Sequence, residues 1–479
     1  MGVIKNFLYS SVLTVSNYLF PLITYPYISR VLGVTNIGIC NFIDSIINYY
    51  ILFSMMGMGL LAVREIAKNR DNRLGLKKSF SSLLVLNSIF TFISVFLLII
   101  SIHVFPTLYE YKQLLYIGVF KVVFNYLLIE WLYVGTENFK LVTQRSIVVK
   151  TLYVIAVFLF VKDSHDYQTY YLLSVLMVVV NACFNLWYSR KLVSFSFSDI
   201  TIKPYLKPYC VLGVYALLTS MYTSFNVVYL GFVAGEAEVG YYTTAIKLYT
   251  VLLSLFSAFT GVMLPHMSSL ISQGRYEEFR LLISKSVKAL FTFVMPLIIF
   301  SVCFAPQIIS IVSGPGYENS ILPMRIVMPL MFIIGYEQII IIQVLMPLRK
   351  DKAILINSTL GAVVGLLINF SLVSSMGSSG SAIAWVAAEI TVLCSAQVFV
   401  SKYLSLYFPF KHFFYCVLWS VVIAFPCILL QIYTSFPSLL TLSIGSFIIG
   451  GCYLFLGLKV MKNELMISMI GRLKKRFLV

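Results

Sequence analysis

Apolar runs of about 20 residues, the length that crosses a bilayer as a helix, recur fourteen times along this 479-residue chain, each bounded by charge or by Gly, Pro and Ser turns. They fall near residues 7–29, 38–62, 80–103, 113–134, 142–161, 168–189, 207–233, 241–263, 287–312, 324–347, 353–375, 380–401, 412–432 and 438–459. In hydrocarbon a run of this kind has one stable form, a helix whose backbone groups bond within the segment. Composition agrees, with 60% hydrophobic and 11% charged residues and a mean hydropathy of +0.93, against about 25% charged residues in a soluble domain. The expectation is an all-α polytopic membrane protein of about fourteen transmembrane helices. The first run is too long for a secretory signal core and no small-residue cleavage site follows it, so it is expected to remain as an anchor.

The formal charge of +17 has an explanation that needs no nucleic acid. If the N-terminus is cytoplasmic, 28 of the 35 lysines and arginines fall in inner segments; four lie outside (Arg30, Lys112, Lys162, Arg325) and three within spans (Lys121, Lys150, Lys247). This is the positive-inside bias, strengthened by attraction to anionic lipid heads. It predicts cytoplasmic N- and C-termini, with a basic juxtamembrane tail GRLKKRFLV at 471–479. The eight cysteines lie in or beside apolar runs with no CxxC spacing and no His/Cys cluster, so no disulfide framework, metal site or cofactor is expected. His103, His165, His266 and His412 sit near span ends and receive no role.

Sliding the chain by 202 positions superposes Lys5 on Lys207, Gly33 on Gly235, Gly38 on Gly240, Gly59 on Gly261 and Arg73 on Arg275 without a gap. The first hairpin therefore returns as spans seven and eight. Six spans separate the copies, so both enter from the same side, as parallel repeats do. The expected organisation is an N-terminal six-helix bundle at 1–191, a second at 192–402, and two further helices with the basic tail at 403–479.

Ionisable groups inside hydrocarbon cost about 2.5–3.5 kcal/mol each on insertion scales and usually face a protein interior or a wet cavity. Asp44, Lys121, Glu130, Lys150, Lys247, Glu337 and Glu389 are such groups, and Arg30 stands at the outer mouth of span one. Asp44 follows Gly38 by six residues and Lys247 follows Gly240 by seven, placing both about 10 Å below the outer surface in matching helices. Arg30, Lys247 and Lys121 are candidates for binding an anionic group. Asp44 is the expected counter-ion of Arg30 or Lys247 when cargo is absent. Glu130 and Lys150 are expected to form a structural ion pair. Asp44, Glu337 and Glu389 are candidate cavity acids or ion-coupling groups, since low dielectric disfavours an ionised carboxylate. Prolines 21, 26, 296, 329 and 426 lie inside spans, where they kink helices.

No GxxxxGK[ST] loop occurs, and no Ser/His or Cys/His grouping, which argues against a usual ATPase or an enzyme. PYISRVLG (26–33), NFIDSIINYY (41–50) and AVREIAKNRD (62–71), with EWLYVGTENFKLVTQRSIVVK (130–150) and QVLMPLRKDK (343–352), resemble the Wzx-type polysaccharide flippases of the MATE-like superfamily. The resemblance implies two six-helix bundles opening alternately to either face of a bacterial inner membrane. It implies a lipid-linked cargo, an undecaprenyl-pyrophosphate oligosaccharide moved from the cytoplasmic to the outer leaflet for O-antigen, capsule or a related polymer. Arg30 matches that family's first-hairpin arginine, and Lys247 falls where related lipid II flippases carry a cavity arginine. Membrane lipids and a polysaccharide polymerase complex are the implied partners. Two rivals stand beside it: a drug or cation antiporter of the same superfamily, and a membrane polymerase or ligase of the same pathway, which would need a large outer loop.

Overall fold

The computed structural model describes residues 2–455 except Ser198, Asp199, Ser405 and Ser435, together with Leu458. The cationic tail expected beyond 459 and the side chain of Lys5 lie outside the described residues. Among the described residues the regular structure is helical, with no strand. The first half comprises α1 (Gly2–Met55), α2 (Met58–Asn69), α3 (Arg73–Val104), α4 (Pro106–Glu110), α5 (Lys112–Tyr126), α6 (Glu130–Gly135), α7 (Phe139–Phe160), α8 (Tyr167–Leu192), α9 (Lys203–Thr223) and α10 (Phe225–Ala234). The second comprises α11 (Glu236–Ser272), α12 (Tyr276–Cys303), α13 (Ala305–Val312), α14 (Ile321–Val327), α15 (Leu330–Gln338), a π-helical segment Ile339–Leu345, α16 (Asp351–Leu404), α17 (Phe410–Tyr433) and α18 (Ser438–Phe455).

Two of these helices are too long to be single spans. α1 and α16 each run 54 residues, about 80 Å at 1.5 Å per residue, against a hydrocarbon core of about 30 Å. Each is broken at a glycine with left-handed backbone, Gly33 at φ 74° and Gly377 at φ 52°. Ten helical runs among the described residues are long and apolar enough to cross a membrane, and the pair α9 and α10, bent by 47°, makes an eleventh. Counting the two glycine-broken runs twice and adding α11, 37 residues long, accounts for the fourteen apolar stretches of the sequence.

Packing divides the chain into two compact units, Met1–Thr243 and Thr244–Val479. In the first unit α9 and α10 pack on α1 and α2, and the start of α11 belongs with them. In the first unit, α2, α3 and α6 share a core built from Leu61, Ile66, Phe80, Leu83, Trp131 and Tyr133. α6 approaches α2 so closely that a Cβ on Gly135 would lie 2.7 Å from Cγ2 of Ile66, which explains a glycine in EWLYVG. Beyond this core Arg70 at the end of α2 is paired with the exposed Glu137, whose carboxylate raises the guanidinium pKa further.

The 202-residue repeat has a direct structural counterpart. Gly33 (φ 74°) and Gly235 (φ 89°) share a conformation that side-chain-bearing residues rarely adopt. Five residues on, a Cβ on Gly38 would collide with the carbonyl oxygen of Glu236, and one on Gly240 with the carbonyl oxygen of Val34. Val34 and Glu236 are themselves 202 apart, so the contact is reciprocal. Asn41 Nδ2 donates to Thr243 Oγ1 at 2.9 Å, joining two positions also separated by 202. Reciprocal contacts of this kind are the signature of a two-fold axis, here passing between the duplicated hairpins, with small residues letting the backbones meet. In a chain stripped of its native cysteines, an Asn41→Cys/Thr243→Cys pair is expected to form a disulfide under mild oxidation. Adding Gly38→Leu is expected to abolish it; an undiminished cross-link would show that the crossing does not depend on the glycine.

Candidate functional site

Three ionisable groups sit where the glycine-broken α1 meets its neighbours in the first unit. Asp44, on the second arm of α1, is ion-paired with Lys121 of α5, and Asn48, one turn on, donates to the other carboxylate oxygen at 3.2 Å. The pair is partly open, the side chains being 33% and 16% exposed. Arg30 is exposed three residues before the break and donates from Nη1 to the Pro26 carbonyl at 2.6 Å. The counter-ion of Asp44 is therefore Lys121, where the sequence suggested Arg30 or Lys247.

The Glu130 to Lys150 pair expected from the sequence is arranged differently. Glu130 accepts from Arg145 Nη2 at 3.0 Å, with the arginine side chain 3% exposed and the glutamate 50%. Arg145 Nη1 also bonds the Asn185 side chain, and Asn185 in turn donates to the Leu128 carbonyl. Lys150 turns to the first arm of α1, where Nζ donates to Ser16 Oγ at 3.3 Å and to Asn17 Oδ1. Charge counting had placed Arg145 in a cytoplasmic loop; it lies within α7, buried. A guanidinium so desolvated needs both its acid and its amide, and removal of one partner of a buried pair typically costs about 3–5 kcal/mol.

In the second unit, Glu337 near the end of α15 and Glu389 in α16 are near neighbours. Glu389 is buried and also accepts from Trp385 Nε1 at 2.9 Å. Glu337 Oε2 is buried and meets no N–H or O–H donor. The residue after Glu337, Gln338, bonds Thr260 at 3.1 Å, and the helix then widens into the π-helical segment, a deviation frequent at functional sites. Lys247 is half-buried on α11. Among the described residues no cluster of three or more His, Cys, Asp or Glu is arranged to hold a metal.

The structure thus joins Asp44 to Lys121, sets Glu337 near Glu389, and separates Glu130 from Lys150 by giving each another partner. Arg145, Asn185, Asn48 and Trp385 are the participants that sequence reasoning missed. The two asparagines and the tryptophan carry no charge to betray them in an apolar run. Arg145, five residues before Lys150, was hidden by its position near a span end. Chemically, the first unit offers a partly exposed ion pair, and the second two neighbouring carboxyl groups.

Comparison with known proteins agrees with this architecture. Residues 3–271 match the family model for polysaccharide biosynthesis proteins. A protein of Escherichia coli (strain K12) described as a "Putative O-antigen transporter" is 25% identical over 403 residues, 83% of this chain and 96% of that one. A Shigella dysenteriae protein of the same description is 26% identical over 404 residues, 81% and 98% of the two chains. Among solved structures, the lipid II flippase MurJ in an inward closed conformation superposes with a TM-score of 0.78 at 17% identity, over 95% of this chain and 99% of that one. An outward-facing multidrug resistance MATE transporter of the MOP superfamily gives 0.60 at 14% identity, over 84% and 95%. With more than half its length matched by the family model and a transporter fold of fourteen apolar spans, this chain belongs to the polysaccharide biosynthesis protein family, as a multi-pass membrane protein of MATE-like architecture.

Proposed function

We propose that this protein carries a lipid-linked oligosaccharide across a bacterial inner membrane, from the cytoplasmic to the outer leaflet, by alternating access and without catalysis. The observation that carries the reading is the half-open Asp44–Lys121 pair within a membrane-spanning unit. An ammonium in hydrocarbon must keep an anion, and a pyrophosphate brings more negative charge than one carboxylate together with several strong acceptor oxygens. Cargo entering beside α5 takes Lys121 from Asp44; when it leaves, Asp44 closes on Lys121 again. The cation is never left bare, so loading and unloading exchange one ion pair for another instead of creating a charge in lipid.

Arg30 and Lys247 complete the reading as the further cations for the phosphate groups, while the polyprenyl chain stays in the bilayer. The N- and C-termini are cytoplasmic, as the distribution of lysine and arginine favours. The duplicated bundles 1–191 and 192–402 are the bodies that move, and a polymerase complex is the partner that uses the delivered unit. The Glu337–Glu389 pair supplies the driving step, binding a proton on one face of the membrane and releasing it on the other. A drug or cation antiporter remains the second reading, because a buried carboxyl pair also suits cationic cargo; dye efflux from intact cells separates the two.

Lys121→Met is expected to lower surface polysaccharide about tenfold to a hundredfold, the worth of one charge-assisted hydrogen bond to phosphate, with the protein still at its normal level in the membrane. Lys121→Arg is expected to keep most of the activity. Wild-type polymer in Lys121→Met, Arg30→Ala and Lys247→Met alike would rule out the cationic site. Glu337→Gln and Glu389→Gln are expected to make the flipping rate in proteoliposomes insensitive to an imposed pH gradient. A response equal to that of the native protein in both variants would remove the pair from coupling.

A further inference from the structure

A cavity of about 340 Å³ opens in the second unit between α12, the π-helical segment, the end of α16 and the segment leading into α17. Its volume is at the lower end of the range of about 300–1,000 Å³ typical of ligand sites. One wall is a single stripe of α12, Arg280, Ile283, Ser284, Val287 and Lys288, whose spacing of i, i+3, i+4, i+7 and i+8 places them on one helix face. The opposite wall, from the π-helical segment and α16, is aliphatic: Ile339, Ile340, Val344 and Val400. Both cations are exposed at the surface, and the interior between them offers methyl and methylene groups.

The floor is held by a chain of hydrogen bonds. Tyr336 Oη donates to Gln397 Oε1 at 3.1 Å, and Gln397 Nε2 donates to the Leu406 carbonyl at 2.8 Å. Arg280 Nη2 donates to the Leu404 carbonyl at 3.3 Å, so the guanidinium stays beside the mouth. Phe408 stands edge-on to the Tyr336 ring at 5.1 Å. These contacts fix the connection between α16 and α17, so the cavity is a built feature of the joint between the second unit and its final helix pair.

We propose that this cavity is a binding site for an anionic phospholipid of the cytoplasmic leaflet, distinct from the transported cargo. The phosphate lies between Arg280 and Lys288, and one acyl chain runs inward along the aliphatic wall. The complementarity is one of charge and of polarity: two long cationic side chains at the mouth, with stems that lie along apolar surface, and hydrocarbon within. The polar uncharged lining is confined to Ser284, Tyr336, Gln397 and Tyr407, and about 340 Å³ is too small for an oligosaccharide head, which favours a bilayer lipid over the oligosaccharide carrier. Only the choice of leaflet rests on the orientation given above. The bound lipid acts as part of the packing between α12 and α17.

The test uses the full-length protein in detergent, with melting temperature and native mass spectrometry as readouts. Phosphatidylglycerol is expected to raise the melting temperature and to be retained as a one-lipid adduct. Phosphatidylethanolamine and chainless glycerol phosphate are expected to do neither. Arg280→Ala/Lys288→Ala is expected to weaken phosphatidylglycerol binding about thirtyfold, at about a factor of five per surface cation. Ser284→Trp, which fills the cavity and keeps both charges, is expected to remove the adduct, and Arg280→Lys to retain it. Equal effects of phosphatidylethanolamine and phosphatidylglycerol, or an unchanged adduct in both the double variant and Ser284→Trp, would overturn the site. Neither result would bear on Lys121-dependent export, which is measured separately in cells.

Discussion

Hydrocarbon offers no hydrogen bonds and almost no screening, and the placement of charge throughout this molecule follows from that constraint. A lone ammonium or carboxylate in the spans would cost several kcal/mol. Three of the acids inside the spans are accordingly joined to a donor: Asp44 to Lys121, Glu130 to Arg145 and Glu389 to Trp385. What differs among them is how replaceable the partner is. Arg145 is enclosed by its acid and an asparagine and reads as architecture, whereas Lys121 and Asp44 are partly open and share a single contact. Openness at a charge that hydrocarbon cannot tolerate alone is what sets the Asp44–Lys121 pair apart from the Glu130–Arg145 pair.

The spans and their number were legible from hydropathy, because a bilayer admits so few backbone solutions. The repeat was legible too, from five identities, and the structure supplies the reason why glycine stands at four of the paired positions considered in detail: a left-handed break at Gly33 and Gly235, and a backbone approach at Gly38 and Gly240 that leaves no room for a Cβ. Residues under such geometric demand persist through duplication while lipid-facing positions drift. The ion-pair partners were less legible. Helical spacing indicates which residues share a face, but which neighbouring helix meets that face is a matter of tertiary packing. Lys150 reaches Ser16 and Asn17, more than 130 residues away in sequence, and no local pattern marks such a contact.

Family membership, fold and site support one another at different levels. The match to the polysaccharide biosynthesis family and the superposition on a lipid II flippase concern the architecture. The partly open ion pair and the two neighbouring carboxyl groups concern the chemistry, and each lies within one compact unit.

The symmetry of the Gly38–Gly240 crossing has a mechanical consequence. Since Gly38 rests on the carbonyl of Glu236 while Gly240 rests on that of Val34, neither contact can be released alone without bending a helix. The crossing is therefore shaped like a clasp with two identical teeth, and a side chain at either glycine would prise at both.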